Sequence, residues 1–287
     1  MTRSLLKTIE NKMPTFSKGQ KMIAKYVLEN YDKAAYMTAS KLGNVVNVSE
    51  STVVRFADEL GFEGYPEFQA ALQEIVRTKL TSFQRIEVTN TRMGDGDILT
   101  KVLLSDADRI KDTLEDIDRE AFYAAVDSII GAKNIYILGA RSSSYLAGFL
   151  NYNLRMVFDN VRLVQSTSGG EIFEQIMNIG KDDVIIAISF PRYSKRIVNA
   201  VKFAKNAGAD VISITDSPLS PIAEGANQVL AVKSDMVSFV DSLVAPMSII
   251  NAIVAAVARK QQNELTERLR QLETIWDEYD VYDKNQG

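Results

Sequence analysis

The 287-residue sequence contains no cysteine and no histidine, and it has only one tryptophan and six prolines. Without cysteine there is no disulfide, thiol nucleophile or thiolate metal site; without histidine the commonest metal ligand and the usual general base are missing. Carboxylates, lysines and tyrosines can still move protons, so these absences shift the expectation towards binding and away from enzyme activity. No metal and no cofactor are expected. Long hydrophobic runs are scarce as well. The longest, Leu243 to Ala258, contains Pro246, Ser248 and Asn251 and falls short of the roughly 18–20 residues that a membrane span needs. It reads as a buried or subunit-interface helix, and no membrane role is expected. Met1 to Glu10 is polar and charged, with no apolar core of a signal peptide, so a cytoplasmic location is expected.

What is present is an ordinary globular composition, 46% apolar and 24% charged, with length for two domains. The net charge of −4 is uneven. Residues 1–80 hold 11 Lys and Arg against 9 Asp and Glu, a net of +2, and the other 207 residues carry −6. A small positive excess suits a nucleic-acid reader that relies on pairing and a few placed contacts more than on a strongly basic surface.

The stretch from Met37 to Ala71 has the grammar of a helix-turn-helix. Thr38 to Leu42 gives one or two helical turns, Gly43 to Val48 makes the turn, and Ser49 is a good N-cap for a helix from Glu50 to Leu60 that Gly61 stops. Val53, Val54, Ala57 and Leu60 build its apolar stripe, while Ser49, Ser51, Thr52 and Arg55 face elsewhere. Short hydroxyls and a guanidinium near the start of the second helix are what major-groove reading requires: hydroxyls for phosphates and base edges, arginine for a phosphate or a guanine. Lys18, Lys21 and Lys41 are further candidates for phosphate contacts, although exposed lysines are usually just solvated. The partner implied is a double-stranded DNA operator.

Around this motif, residues 5–32 form two helical segments split near Pro14, the second capped by Ser17, and Tyr65 to Leu80 is an amphipathic third element with Pro66 in its first turn. Residues 81–97 lack helical periodicity and end in Gly94-Asp95-Gly96-Asp97, so they read as a linker. Helices follow from about Ile98 to Ile117 and Arg119 to Ile130, capped by Asp97 and Asp118. Short apolar runs then alternate with helices: Ile135 to Leu138, Val161 to Val164, Val184 to Ile188, Val211 to Ile214 and Val229 to Val232. Five such runs predict a parallel sheet wrapped by helices. The fold class is thus α plus α/β: an all-helical helix-turn-helix domain at 1–80, a linker at 81–97, a three-layer α/β domain with a five-stranded parallel sheet at 98–260, and a C-terminal helix at 261–287. That last helix carries a sparse stripe, Leu265, Leu269, Leu272, Ile275 and Trp276, for a partner subunit or for its own domain.

In such sheets the ligand sits beyond the carboxyl ends of the strands. Two loops stand out there, Gly139-Ala140-Arg141-Ser142-Ser143-Ser144 and Ser189-Phe190-Pro191-Arg192-Tyr193-Ser194. Each opens a helix whose free N–H groups favour an anion, and together they offer hydroxyls and two guanidiniums suited to a phosphate on a polyhydroxy body. A dinucleotide site fits less well, because Gly139-Ala140-Arg141 breaks the glycine fingerprint and Gln165 stands where an acidic residue would end the next strand. Walker-type nucleotide binding lacks its glycine-lysine loop.

With both halves read, the chain resembles the RpiR family of bacterial transcription regulators, a helix-turn-helix joined to a sugar isomerase (SIS) domain. The marks are Val48 to Phe56 followed by Leu60-Gly61-Phe62, and the two serine loops. The resemblance implies phosphosugar-binding hydroxyls at Ser142 and Ser143 beside Gly139, and at Ser189 and Ser194. Arg141, Pro191 and Arg192 stand where the family's loops carry glycine, serine and glycine. Two added arginines favour a more anionic ligand, such as a phosphorylated sugar acid or a bisphosphate, or they point into a subunit interface. The resemblance further implies a repressor or activator of carbohydrate metabolism genes, controlled by a phosphosugar effector and working as a homodimer or homotetramer. A second reading is a phosphosugar isomerase with an accessory N-terminal domain. It needs a base beside the sugar, for which Glu171, after the second strand and expected among the phosphosugar-binding residues, is best placed, although Gly169-Gly170-Glu171 also reads simply as a helix start.

Overall fold

The computed structural model describes residues 2–79, 81–94, 96–165 and 168–282. It divides into two compact units, Met1–Gly94 with the short segment Met236–Val240, and Asp95–Asp235 with Asp241–Gly287.

The first unit is helical: α1 (Thr2–Lys12), α2 (Lys18–Glu29), α3 (Tyr31–Ala34), α4 (Ala39–Val45), α5 (Glu50–Glu59), α6 (Tyr65–Lys79) and α7 (Ser82–Met93). Local chemistry fixes the helix starts. Ser17 and Gln20 form a reciprocal capping box on α2, Thr38 accepts from the Lys41 N–H on α4, and Ser49 accepts from the Thr52 N–H on α5. The core gathers on Phe56 of α5, whose ring meets Phe16 at 5.2 Å and Phe68 of α6, edge-on, at 5.6 Å. Val53 and Ala57 are buried with it, while Val54 and Leu60 are only half-buried. The stripe of α5 is therefore rotated from the one read in the sequence, because an aromatic ring claims the centre. On the far side, the Tyr65 hydroxyl and the Gln69 amide of α6 both donate to the Met37 carbonyl, at 2.7 and 2.8 Å, tying α6 to the entry of the helix-turn-helix. Burial pushes the Tyr65 phenol up from its ordinary 10 to about 12.

Two differences from the sequence reading are local. Helix α4 runs on to Val45, so the turn is shorter than Gly43 to Val48. The segment read as an irregular linker is largely helical: Thr81 and Gln84 make a capping box that starts α7, and the Arg85 side chain is buried on it. Leu80, where the reading ended the third element, lies outside the described residues.

The second unit opens with α8 (Ile98–Asp116) and α9 (Arg119–Gly131), capped by the carboxylates of Asp97 and Asp118 as the sequence suggests. Strands β1 (Ile135–Gly139), β2 (Val161–Val164), β3 (Val184–Ile188), β4 (Asp210–Thr215) and β5 (Gln228–Ala231) follow, interleaved with α10 (Ser143–Arg155), α11 (Gly169–Ile176) and α12 (Lys195–Asn206), and then α13 (Val244–Lys260) and α14 (Gln262–Glu278). All pairings are parallel and the strand order is β2-β1-β3-β4-β5. The two-residue period sorts the strand side chains into two layers. Ile135, Ile137, Ile186, Ile212 and Ile214 pack under α9, α10 and α13. Tyr136, Leu138, Ile185, Ala187 and Val211 pack under α11 and α12. Burial on both faces explains why these strands read as unbroken apolar runs.

No helix among the described residues is long and apolar enough to cross a membrane. The run from Leu243 to Ala258 is α13, which buries Ala245, Pro246, Ile250, Ile253 and Val257 against the sheet. In contrast, α14 buries no residue. Its Leu265, Leu272 and Trp276 are half-covered while Leu269 and Ile275 are exposed, and Arg268 pairs with Asp159 to fasten it, holding the Asp159 carboxyl below its ordinary range.

Candidate DNA-reading surface and ligand crevice

The turn between α4 and α5 is tight for a backbone reason. A Cβ on Gly43 would stand 2.7 Å from the Val48 carbonyl oxygen, closer than carbon and oxygen can approach, and Asn47 turns the chain at φ +55°, a conformation its short polar side chain tolerates. The turn delivers the exposed N-terminus of α5. There the Ser49 hydroxyl lies 2.9 Å from that of Ser51 and 2.8 Å from that of Thr52, and the Arg55 guanidinium donates back to the Ser51 carbonyl at 3.2 Å and to its hydroxyl at 3.4 Å. Four polar side chains thus form one patch at the positive end of a helix dipole. Lys18 and Lys41 are exposed at the first turns of α2 and α4, and Lys21 is exposed one turn into α2. The start of α2 lies close to this patch: a Cβ added at Gly19 would stand 3.3–3.4 Å from methyl groups of Thr52 and Val48.

In the second unit, β1 and β3 are neighbours while the chain runs outward from them in opposite directions. That is the switch point at which such sheets open a crevice. A cavity of about 710 Å³ lies there. Its floor is apolar, with Leu138, Val164, Ile172 and Ile197, and its polar lining comprises Arg141, Ser144, Gln165, Glu171, Ser194 and Arg196, with Gly139 and Ala140 at the end of β1. The helices α10, α11 and α12 all begin at this cavity, so three positive helix-dipole ends border it.

Each part is held in place. A Cβ on Gly139 would meet the Ser143 carbonyl oxygen at 2.4 Å, so only glycine lets α10 start directly against the strand end. Gln175 clamps Gln165 by accepting its N–H at 3.2 Å and donating to its carbonyl at 2.8 Å. The Glu171 N–H donates to the Ser168 hydroxyl at 3.3 Å. The loop after β3 is anchored by the Tyr193 hydroxyl, which donates to Asp216 at 2.7 Å.

Of the residues selected from sequence, Gly139, Arg141, Glu171 and Ser194 line the cavity and Ser142, Ser143, Ser189 and Arg192 do not. Ser143 and Ser189 are buried, and Ser142 is exposed at the N-cap of α10. Ser144, read as one of the hydroxyls of the first loop but not selected as a ligand residue, lines the cavity too, with its hydroxyl donating to the Arg141 carbonyl at 2.6 Å, and two polar lining residues escaped the sequence reading, Gln165 and Arg196. Both loop arginines sit in left-handed backbone, Arg141 at φ +58° and Arg192 at φ +67°. A side chain there costs on the order of 1–3 kcal/mol relative to relaxed backbone. Among the described residues the other non-glycine positions with positive φ are Asn47 and Asp280, types that visit this region readily.

Comparison with known proteins matches each half to a family: residues 3–79 to the helix-turn-helix domain of the rpiR family and residues 128–256 to the SIS domain. The chain thus carries an rpiR-family helix-turn-helix domain joined to a SIS domain. A helix-turn-helix transcriptional regulator of Clostridium perfringens is 27% identical over 270 residues, covering 92% of this chain and 95% of that one. The regulator HexR of Escherichia coli is 24% identical over 282 residues, covering 94% and 93%. Among solved structures, the Vibrio vulnificus NanR protein, complexed with ManNAc-6P, shares the fold over 96% of this chain and 98% of its own, with a TM-score of 0.60 at 22% identity. The sugar isomerase domain of an RpiR transcription factor from Sphaerobacter thermophilus covers 61% of this chain and 97% of its own, with a TM-score of 0.58 at 25% identity. The rpiR helix-turn-helix match, with relatives named as transcriptional regulators, points to a DNA-binding transcriptional regulator, and the isomerase reading is not favoured.

Proposed function

We propose that this rpiR-family regulator controls carbohydrate metabolism genes from the cytoplasm, that it reads a double-stranded operator with Ser49, Ser51, Thr52 and Arg55, and that it does so as a homodimer or homotetramer whose SIS crevice senses a phosphorylated sugar. The observation that carries the sensing half is the convergence of three helix N-termini with Ser144, Ser194, Arg141 and Arg196 on one cavity. Helix ends and guanidiniums supply the phosphate site, while Gln165, Glu171 and the hydroxyls supply donors and acceptors for a sugar body. That NanR was solved with a phosphosugar supports the same ligand class.

Pairing of subunits is supported by apolar surface. Leu99, Leu103, Ile110 and Leu114 of α8 are all exposed and share one stripe about 60° wide at helical spacing. Tyr145, Phe149 and Tyr152 are exposed on α10. Contiguous exposed apolar side chains of this size mark association surfaces. Ligand that binds two subunit arrangements unequally shifts the spacing of the paired reading helices, and half-sites about one helical turn apart are gained or lost.

The test is a titration of the full chain onto DNA from upstream of its own gene and neighbouring operons, read by fluorescence anisotropy with and without a panel of phosphosugars. Saturable, sequence-specific binding that one phosphosugar shifts by about fivefold or more is the expected result, in the range of ordinary allosteric coupling. Specific binding that no phosphosugar alters removes the sensing half of the proposal, and the absence of specific binding removes the reading half.

A further inference from the structure

We propose that the ligand of the crevice carries two separate anionic groups, a phosphate and a second carboxylate or phosphate, and that Arg141 selects for the second. This inference rests on the phosphosugar reading and deepens it. Three helix N-termini suffice to hold one phosphate without any cation in the loops. Yet the cavity also presents two guanidiniums, Arg141 and Arg196, against the single carboxylate of Glu171. In about 710 Å³ there is room for a phosphosugar with a charged group at each end.

The backbone makes Arg141 the informative one. Its φ of +58° is one that glycine adopts at no cost, so the chain accepts local strain to keep a guanidinium in the first turn of the ligand loop. Strain that persists at a binding site is evidence for a role of the strained residue. The Arg141 guanidinium makes no hydrogen bond or ion pair with another described residue, and it borders the cavity. A planar fork of donors in that position matches the two oxygens of a carboxylate or a phosphate, and an uncharged sugar hydroxyl engages it far less. The loop itself is pinned beneath by the Gly139–Ser143 contact, so the guanidinium is presented from a fixed base.

Isothermal titration of the full chain with glucose 6-phosphate, 6-phosphogluconate and fructose 1,6-bisphosphate tests this directly. At least one of the two doubly anionic compounds is expected to bind about tenfold or more tightly than glucose 6-phosphate, the scale of hydrogen bonds to a charged group. The preferred one identifies the second group as carboxylate or phosphate. In Arg141→Gly the ratio is expected to collapse to within about threefold. Arg141→Asn, whose side chain also tolerates positive φ, is expected to behave alike, and melting curves of both variants confirm that the fold persists. Equal affinity of the unaltered protein for all three compounds overturns the proposal, as does a preference that survives both substitutions. Either result leaves a phosphosugar sensor in place, whereas failure of all three to bind counts against the phosphosugar reading itself.

Discussion

A Gly139→Ala chain is expected to bind operator DNA in the absence of ligand and to lose its response to phosphosugar. The added methyl group would stand 2.4 Å from the Ser143 carbonyl oxygen and 3.1 Å from the Ala147 side chain. The first of these is backbone at the start of α10, so no side-chain rotation relieves the clash, and the helix start must back away from β1. Overpacking of this kind costs about 1–3 kcal/mol. The shift is felt where the crevice is built, because Arg141 and Ser144 flank the displaced turn. If the strain falls on the bound geometry, ligand affinity drops by roughly tenfold to a hundredfold. Calorimetry with the effector measures the loss, and melting curves separate it from unfolding of the domain. Unchanged ligand affinity would mean that the crevice does not use the end of β1.

Arg55→Ala is expected to weaken operator binding about tenfold to a hundredfold, the usual range for losing a base-edge contact. Arg55 leaves the core packing of α5 alone: it is exposed, while Val53, Phe56 and Ala57 carry the buried face. Its guanidinium rests on the Ser51 carbonyl and hydroxyl at 3.2 and 3.4 Å, an arrangement that DNA can replace with small movement. Two readouts assign the contact. Loss confined to one operator position identifies a base edge, whereas uniform loss with a salt slope lowered by about one identifies a phosphate. An unaltered operator affinity would remove Arg55 from the reading surface.

Strands, caps and the helix-turn-helix were legible in the sequence for identifiable physical reasons. Val184 to Ile188 are buried at every position, so the strand appears as an unbroken apolar run, and the caps at Ser49, Asp97 and Asp118 bond as their residue types suggest. Helix α7 was not legible, because its fold-specifying features are a capping box and a buried arginine in place of an apolar stripe. Within the crevice the loops were legible but their individual side chains were not. Successive residues at a helix start point about 100° apart, so Ser143 turns into the core while Ser144 turns into the cavity. Arg196 lies outside the two serine loops in the first turn of α12, and only the folding of β1, β2 and β3 into one sheet brings it to the same cavity as Arg141 and Gln165. The positive φ of Arg141 and Arg192 had no signature beyond their departure from a glycine pattern.

The central claim is that one ligand-controlled equilibrium links the SIS crevice to operator binding. The measurement that tests it most directly is the affinity of the effector phosphosugar for the free protein and for the protein saturated with operator DNA, taken by calorimetry at one salt concentration. Coupling is reciprocal, so the two affinities are expected to differ by the same factor, about fivefold or more, by which the sugar shifts operator affinity. Equal affinities for the free and DNA-bound protein would contradict the account.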